Sequence, residues 1–144
     1  ELVKYDLSET VTVPSLVEFF HKRWTKTAAV LVDVQSPAYE FVDALKDGGI
    51  RVTVTNTRDV SVASGRLLSM IKRHEITHTN REAQQPLYEA VEKATQRPLG
   101  NAGGFTWNRM DVDTDISPLM AVTLALHGSF TSKRRPGRKQ EVMI

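Results

Sequence analysis

The segment Ala28-Ala29-Val30-Leu31-Val32-Asp33-Val34 is an apolar run that carries one carboxylate close to its end. It has no helical period and stands between two amphipathic stretches with helical spacing, which together predict a buried parallel strand. Open α/β sheets bind ligands in the crevice beyond the carboxyl ends of their strands. We therefore expect Asp33 to lie in a functional crevice. The alternative is that Asp33 only forms the turn that leads into Ser36-Pro37.

Helix and strand patterns alternate on both sides of this run. Before it, Pro14 suits the first turn of a helix with an apolar and aromatic inner face. After it, a second helix is predicted from Ser36-Pro37 to Gly48-Gly49, followed by a strand over 50–54. Because the connections are short, this alternation predicts a right-handed, mainly parallel α/β layer.

The second half of the chain continues the alternation. Asp59 is the predicted N-cap of a third helix that ends near Arg73. The last predicted helix lies close to the sheet through Ala121 and Ala125. The other predicted elements are strands at 2–7, 75–79 and 105–109, and helices at 82–95 and 116–127. The predicted inward-facing positions of the third and fourth helices are Val60, Ala63, Leu67, Ile71, Ala83, Leu87, Val91 and Ala94.

Composition limits the class of protein. With 144 residues, of which 40% are hydrophobic and 25% charged, the chain is long enough for one domain with a substantial core. It has no cysteine, which excludes disulfides and thiolate metal sites and fits a reducing compartment. Its apolar stretches are too short for a membrane span, and it begins without a signal pattern. We expect a cytoplasmic protein with no membrane partner.

Positive charge is concentrated at the C-terminus. The formal net charge is +2, yet residues 132–144 carry five basic side chains and one acidic one, which leaves residues 1–131 with a balance of −2. We therefore divide the chain into a domain over 1–131 and a basic, flexible tail over 132–144. The tail either binds phosphates or is a solvated terminus. The candidate phosphate ligands are Lys133, Arg134, Arg135, Arg138 and Lys139.

A group of carboxylates, Asp111, Asp113 and Asp115, lies just before the last predicted helix. If that helix packs beside the 28–34 strand, Asp115 faces Asp33 across the crevice. Hard cations such as Mg²⁺ and Mn²⁺ prefer oxygen ligands, and paired carboxylates can hold two such ions. We predict Asp33 and Asp115 as the ligands of such a site, with Asp111 and Asp113 as further candidates. The alternative for Asp115 is a helix cap.

Four other side chains have both a functional and a structural interpretation. Arg109 either holds a DNA phosphate or pairs with one of the aspartates that follow it. His78 either orients a water or a phosphate near the site, or is satisfied structurally. Phe105 and Trp107 either stack on a base, as in single-strand binders, or fill the core.

Six segments, taken in order, resemble a known family. They are VLVDVQSP (30–37), LKDGGIRV (45–52), ITH (76–78), RPLG (97–100), GGFTWNR (103–109) and DISPLMAVTLAL (115–126). Together they resemble the C-terminal nuclease domain of the large terminase subunit of tailed bacteriophages or prophages. The resemblance covers nearly the whole chain apart from the tail.

This resemblance implies a ribonuclease H-like mixed sheet flanked by helices. It implies a two-metal, Mg²⁺- or Mn²⁺-dependent endonuclease that cuts concatemeric double-stranded DNA in the bacterial cytoplasm. Asp33 and Asp115 match the positions of catalytic metal ligands. The implied partners are the terminase ATPase region, the small terminase subunit and the portal.

The chain departs from the family in two respects. The family fold opens with a hairpin whose first strand carries a catalytic aspartate, whereas residues 2–7 correspond to the third strand. The first two strands, that aspartate and the ATPase region are therefore expected to be missing. A site short of one carboxylate should bind metals weakly, so we expect little activity unless Asp111 or Asp113 substitutes. The alternative function is a non-catalytic module that docks on DNA or on the portal.

Overall fold

The computed structural model describes residues 11–101, 103–109 and 115–136, which form a mixed α/β structure. Its helices are α1 (Val13–Arg23), α2 (Val42–Asp47), α3 (Thr57–Lys72), α4 (Gln85–Lys93) and α5 (Ser117–Thr131). Its strands are β1 (Val30–Asp33), β2 (Val52–Thr55), β3 (Gln96–Leu99) and β4 (Gly104–Trp107). Short 3-10 turns lie at Trp24–Lys26, Pro37–Phe41 and Glu82–Gln84. The strand predicted at 2–7 lies outside the described residues.

β1 and β2 form a parallel pair, as the apolar run at 28–34 predicts. Val30 is level with Val52, and Asp33 is level with Thr55. The connection between the strands runs through the 3-10 turn at 37–41 and α2, and Gly49, with φ of 81°, follows that helix. Two parallel strands joined by a short helical crossover leave their carboxyl ends at the same edge. Asp33 lies at that edge.

β3 and β4 form a separate antiparallel hairpin, with Arg97 level with Thr106. The sequence predicted β4 but not β3, because the polar and proline-containing segment Gln96–Leu99 lacks the pattern of a strand. The turn between the strands uses Gly100 and Gly103, which have φ of 57° and 76°. The described strands therefore form two two-stranded sheets, one parallel, as predicted from the strands at 28–34 and 50–54, and one antiparallel.

Two apolar clusters form the core and lie on opposite faces of the β1–β2 pair. Successive side chains of a strand point to opposite faces, so Val30 joins one cluster and Leu31 packs against the other. The first cluster contains Val30, Leu45 and Ile50, covered by residues of α1 such as Leu16 and Phe20. The second contains Val60, Leu67, Ala90, Trp107, Ile116, Leu119, Met120 and Leu124. The helices α3, α4 and α5 thus share one core with the β4 strand.

The start of α3 differs from its prediction. Asn56, not Asp59, is the N-cap: its side-chain oxygen accepts hydrogen bonds from the backbone N–H groups of Arg58 and Asp59. Asp59 completes a capping box by accepting the backbone N–H of Asn56 at 3.0 Å. The reciprocal pair fixes the point at which the chain turns from β2 into α3.

Two other predictions are corrected in the middle of the chain. Residues 75–79, predicted as a strand, have no regular secondary structure. The chain leaves α3 through His74, whose φ of 57° turns it away from the helix axis. In the next helix, Leu87 and Ala94 pack against the core as predicted, and Ala90 between them is buried. Ala83, which lies in the 3-10 turn before α4, and Val91 were also predicted to face inward but are exposed, as is Ile71 at the end of α3.

α5 approaches the sheet through a different small residue from the predicted pair. Ala121 and Ala125 are exposed, whereas Gly128 is buried against β1. A Cβ added at Gly128 would lie 2.7 Å from Leu31 Cδ1. The helix runs four residues beyond the predicted end, to Thr131, and its extra turn supplies this contact. Among the described residues, none of the helices combines the length and the apolar composition needed to cross a bilayer.

Candidate functional site

Asp33 is a buried carboxylate at the carboxyl end of β1. It is 3% exposed, and its Oδ1 accepts a hydrogen bond from the backbone N–H of Gln35 at 3.2 Å. Its backbone carbonyl accepts the N–H of Ser36 at 2.9 Å. The turn-forming interpretation of Asp33 is thus confirmed. The turn uses only Oδ1 and the backbone carbonyl, and Oδ2 has a different partner.

That partner is Arg109, which follows β4 in the chain. Its Nη2 donates a hydrogen bond to Asp33 Oδ2, and the two side chains form an ion pair. The Arg109 side chain is 31% exposed, against 3% for Asp33, so the guanidinium forms the outer half of the pair. A carboxylate buried to this degree needs such compensation. From the sequence, the expected partners of Arg109 were only the aspartates that follow it in the chain, and this long-range partner was not predicted.

Asp115 lies two residues before Ser117, the first residue of α5, and its side chain bonds to that residue. Its Oδ1 accepts the backbone N–H of Ser117 at 2.8 Å, and its Oδ2 accepts the Ser117 hydroxyl at 3.0 Å. The predicted bond from Asp115 to a backbone N–H at the helix start is therefore present, although Ile116, and not Asp115, is the N-cap residue. Asp111 and Asp113 lie outside the described residues.

One open cleft of about 340 Å³ brings Asp33, Arg109 and Asp115 together. Its walls come from the end of β1, from the 3-10 turn that begins at Pro37 and from the first two turns of α5. Apolar side chains dominate the α5 wall; those lining the cleft include Ile116, Met120 and Leu124. Asp33 and Asp115, which the sequence predicts to face each other, thus line the same cleft at the carboxyl edge of the parallel pair. We call this space the acidic cleft.

A second cleft of about 250 Å³ lies on the other side of the Asp33–Arg109 pair. Both residues of the pair line it, together with Gln35 and Thr57, whose side chains hydrogen bond at 3.1 Å. Arg97 of β3 also lines it. Arg97 was not predicted as a site residue, because its position in the hairpin depends on β3, which the sequence pattern does not predict. The Asp33–Arg109 ion pair therefore lines both clefts, and Arg97 lines the second one.

The donor set of the acidic cleft suits one hard divalent cation. Among the described residues, no group of three or more His, Cys, Asp or Glu side chains is placed to hold a metal ion. Mg²⁺ is commonly held by one or two carboxylates, with water and substrate phosphates completing its shell. Asp33 and Asp115 can supply these two carboxylates if Arg109 no longer donates its hydrogen bond to Asp33 Oδ2. A second cation needs a further carboxylate.

His78 and the two aromatic residues have structural partners. His78 Nδ1 lies 2.7 Å from the carbonyl oxygen of Thr79 and 2.9 Å from the Tyr88 hydroxyl, and His78 lines neither cleft beside Asp33. Trp107 is buried in the core and donates its indole N–H to a threonine hydroxyl of α5 at 3.0 Å. Phe105 packs edge-on against Trp107, with ring centroids 5.3 Å apart. For these residues the structural interpretation is the better one.

The start of the predicted tail is ordered against the domain. Arg134 donates to the backbone carbonyl of Thr27, and its guanidinium lies 4.5 Å from the centre of the Trp24 ring. Arg135 donates to carbonyls at the end of α5. Lys133 is exposed. Arg138 and Lys139 lie outside the described residues.

Comparisons with protein-family models, with curated proteins and with solved structures found no match. The acidic cleft and the chemistry of its residues are therefore the basis for assigning a function.

Proposed function

We propose that this chain contributes the nuclease part of a divalent-metal-dependent endodeoxyribonuclease, with a ribonuclease H-like fold of the phage terminase type. The observation that carries the proposal is the meeting of Asp33 and Asp115 in one open cleft at the carboxyl edge of a parallel strand pair. The substrate is double-stranded DNA in the bacterial cytoplasm. The proposed partners are a terminase ATPase region, the small subunit and the portal.

In this proposal Asp33 and Asp115 hold Mg²⁺ or Mn²⁺, and a second ion is completed by Asp111 or Asp113. Bound divalent cations of this kind supply an activated water for attack on phosphorus and stabilise the leaving oxygen. The chain's own contribution is to fix the carboxylates. Asp33 is held by the end of β1 and the turn after it, and Asp115 by the first turn of α5. Both positions are on rigid elements, which favours a defined coordination geometry.

Arg109 has a distinct role in the proposal. It compensates the buried Asp33 charge when no cation is present. If Asp33 were a ligand of such a cation, the Arg109 guanidinium, which is partly exposed and lines both clefts, would no longer be needed to compensate Asp33. Guanidinium groups pair with phosphates through two parallel hydrogen bonds. Arg109 would then be available to orient a DNA phosphate beside the cation.

A second candidate is a non-catalytic module that docks on DNA or on the portal. One observation favours it: both oxygens of Asp33 already accept hydrogen bonds, from Gln35 and Arg109. In a docking module this pair is a permanent structural ion pair. The two proposals differ in whether Mn²⁺ displaces Arg109 from Asp33.

Nicking of supercoiled plasmid DNA by the 144-residue chain in Mn²⁺ tests the proposal. We expect nicking that is abolished by EDTA and lost in both Asp33→Asn and Asp115→Asn. Asp43→Asn is the matched control, because the Asp43 side chain is 95% exposed on α2, away from the cleft. Nicking that survives both cleft substitutions would refute the nuclease assignment. DNA binding without nicking in the unmodified chain would support the docking module instead.

A further inference from the structure

A third cleft, of about 360 Å³, lies at the opposite end of the parallel strand pair from Asp33. Its walls come from the residues before β1 and β2 and from the segment that follows α5. Three basic side chains line it: Arg51, Lys133 and Arg134. We call this space the basic cleft.

The wall that follows α5 is fixed by hydrogen bonds. Ser132 donates its hydroxyl to the carbonyl of Ala28 at 2.7 Å and accepts the backbone N–H of Arg134 at 3.1 Å. Arg134 donates to the carbonyl of Thr27 and stacks on Trp24. These bonds hold Lys133, between Ser132 and Arg134, at the rim of the cleft. A preorganised cation loses less conformational entropy on binding than one on a free tail.

The charges in the basic cleft are not compensated within the described residues. Arg51 and Lys133 are exposed, and neither forms an ion pair with any described residue. No carboxylate is among the described residues that line the cleft, while Thr53, Thr131 and Ser132 add hydroxyl groups to its walls. Cations and hydroxyls without carboxylates form a surface suited to an anion.

The exposure of the basic side chains indicates whether the cleft suits a small anion or an extended polyanion. Arg51 is on the segment before β2 and Lys133 is on the segment after α5, so the two charges flank an open surface. A small anion bound in a closed pocket is held by buried donors, whereas an extended polyanion approaches exposed cations from outside. Arg134 stacked on Trp24 adds a planar cation to the same surface. These features favour the repeated phosphates of a nucleic acid.

We propose that the basic cleft binds the phosphodiester backbone of a nucleic acid, at a site separate from the cleavage centre. β1 has four residues, which at about 3.3 Å per residue puts roughly 10–13 Å between its ends. Successive phosphates of one strand are about 3.4 Å apart along a duplex axis, so the separation corresponds to about three or four nucleotides. A duplex on the basic cleft can therefore extend toward the acidic cleft. Binding here needs no metal ion and goes beyond the proposed nuclease activity.

Fluorescence anisotropy of a labelled 20-base-pair duplex, titrated with the 144-residue chain in EDTA at several salt concentrations, tests this site. The test variant is Arg51→Gln/Lys133→Gln, and the matched control is Lys72→Gln/Lys93→Gln, which removes the same charge from exposed positions outside the cleft. We expect the test variant to bind at least about 10-fold more weakly at 0.1 M salt and to lower the salt slope by up to about 1.8. The control should bind like the unmodified chain.

Equal affinities of the test variant and the control would overturn the proposal, as would an unmodified chain that does not bind the duplex. Tighter binding of labelled polyglutamate than of DNA would also overturn it, because the partner would then be an acidic polypeptide. Arg51→Lys/Lys133→Arg keeps both charges and should bind the duplex like the unmodified chain. This variant shows whether weaker binding of the test variant comes from the lost charge or from a disturbed fold. Because EDTA is present throughout, a failure of plasmid nicking leaves this result unaffected.

Discussion

Replacing Arg109 with glutamine removes the positive charge that compensates the buried Asp33 carboxylate. In Arg109→Gln the carboxylate keeps the backbone N–H of Gln35 at 3.2 Å as a partner. Loss of one member of a buried ion pair costs about 3–5 kcal/mol. Because the Arg109 side chain is 31% exposed, water can reach the vacated position, and we expect about 2–3 kcal/mol. For a chain of this length that lowers Tm by roughly 8 °C.

The same substitution should strengthen the response to a divalent cation. In the unmodified chain a cation at Asp33 must first displace Arg109, whereas in Arg109→Gln the carboxylate is already released. A cation present at about 100 times its Kd stabilises the folded state by about 2.7 kcal/mol, which would restore most of the lost stability. Mn²⁺ should therefore raise the Tm of Arg109→Gln by more than it raises that of the unmodified chain.

Thermal unfolding followed by circular dichroism, in EDTA and in Mn²⁺, measures both effects. Arg81→Gln is the control, because its ion pair with Glu92 has side chains that are 60% and 55% exposed and should contribute little. The double variant Asp33→Asn/Arg109→Gln should not respond to Mn²⁺. The reasoning is refuted if Arg109→Gln is no less stable than Arg81→Gln, or if Mn²⁺ stabilises it no more than the unmodified chain.

Three further predictions concern individual residues. Asp115→Asn keeps an oxygen that can accept the Ser117 N–H, so the free energy of unfolding should change by less than about 1 kcal/mol, while Mn²⁺-dependent nicking falls by about 100-fold or more. If Asp115 serves only the local turn before α5, nicking would be unchanged. Asn56→Ala removes the acceptor of two backbone N–H groups and should cost about 1 kcal/mol in urea unfolding, and an unchanged midpoint would contradict the assigned cap. Gly65→Ala adds a Cβ with nothing within 4 Å and should stabilise α3 by about 0.5–1 kcal/mol. Gly128→Ala places a Cβ 2.7 Å from Leu31 Cδ1, so this variant should be about 1–3 kcal/mol less stable than Gly65→Ala. Equal stabilities of the two variants would contradict the close approach of α5 to β1.

Local signals were sufficient for the elements nearest the site. The apolar run of residues 28–34 predicts a buried parallel strand, and Asp33 stands out there because nothing else in the run is polar. Asp115 and Pro118 likewise predict the start of the final helix. These features depend on neighbouring residues, which is why the sequence alone places both carboxylates at element ends.

Features that depend on distant contacts were not predictable in the same way. β3 exists because Gln96–Leu99 pairs with β4, although its own residues are polar and include a proline. The same pairing brings Arg97 to the second cleft, and Arg109 follows β4 to reach Asp33. Burial of Gly128 instead of the two alanines depends on where α5 crosses β1, which helical spacing does not specify.

The central claim is that Asp33 and Asp115 share a divalent cation in the acidic cleft. An anomalous difference map from crystals of the 144-residue chain soaked in Mn²⁺ tests it most directly. We predict a Mn²⁺ peak between the two carboxylates, with the Arg109 guanidinium moved away from Asp33. A map with no peak in the cleft and with Arg109 still bound to Asp33 at saturating Mn²⁺ would contradict the claim.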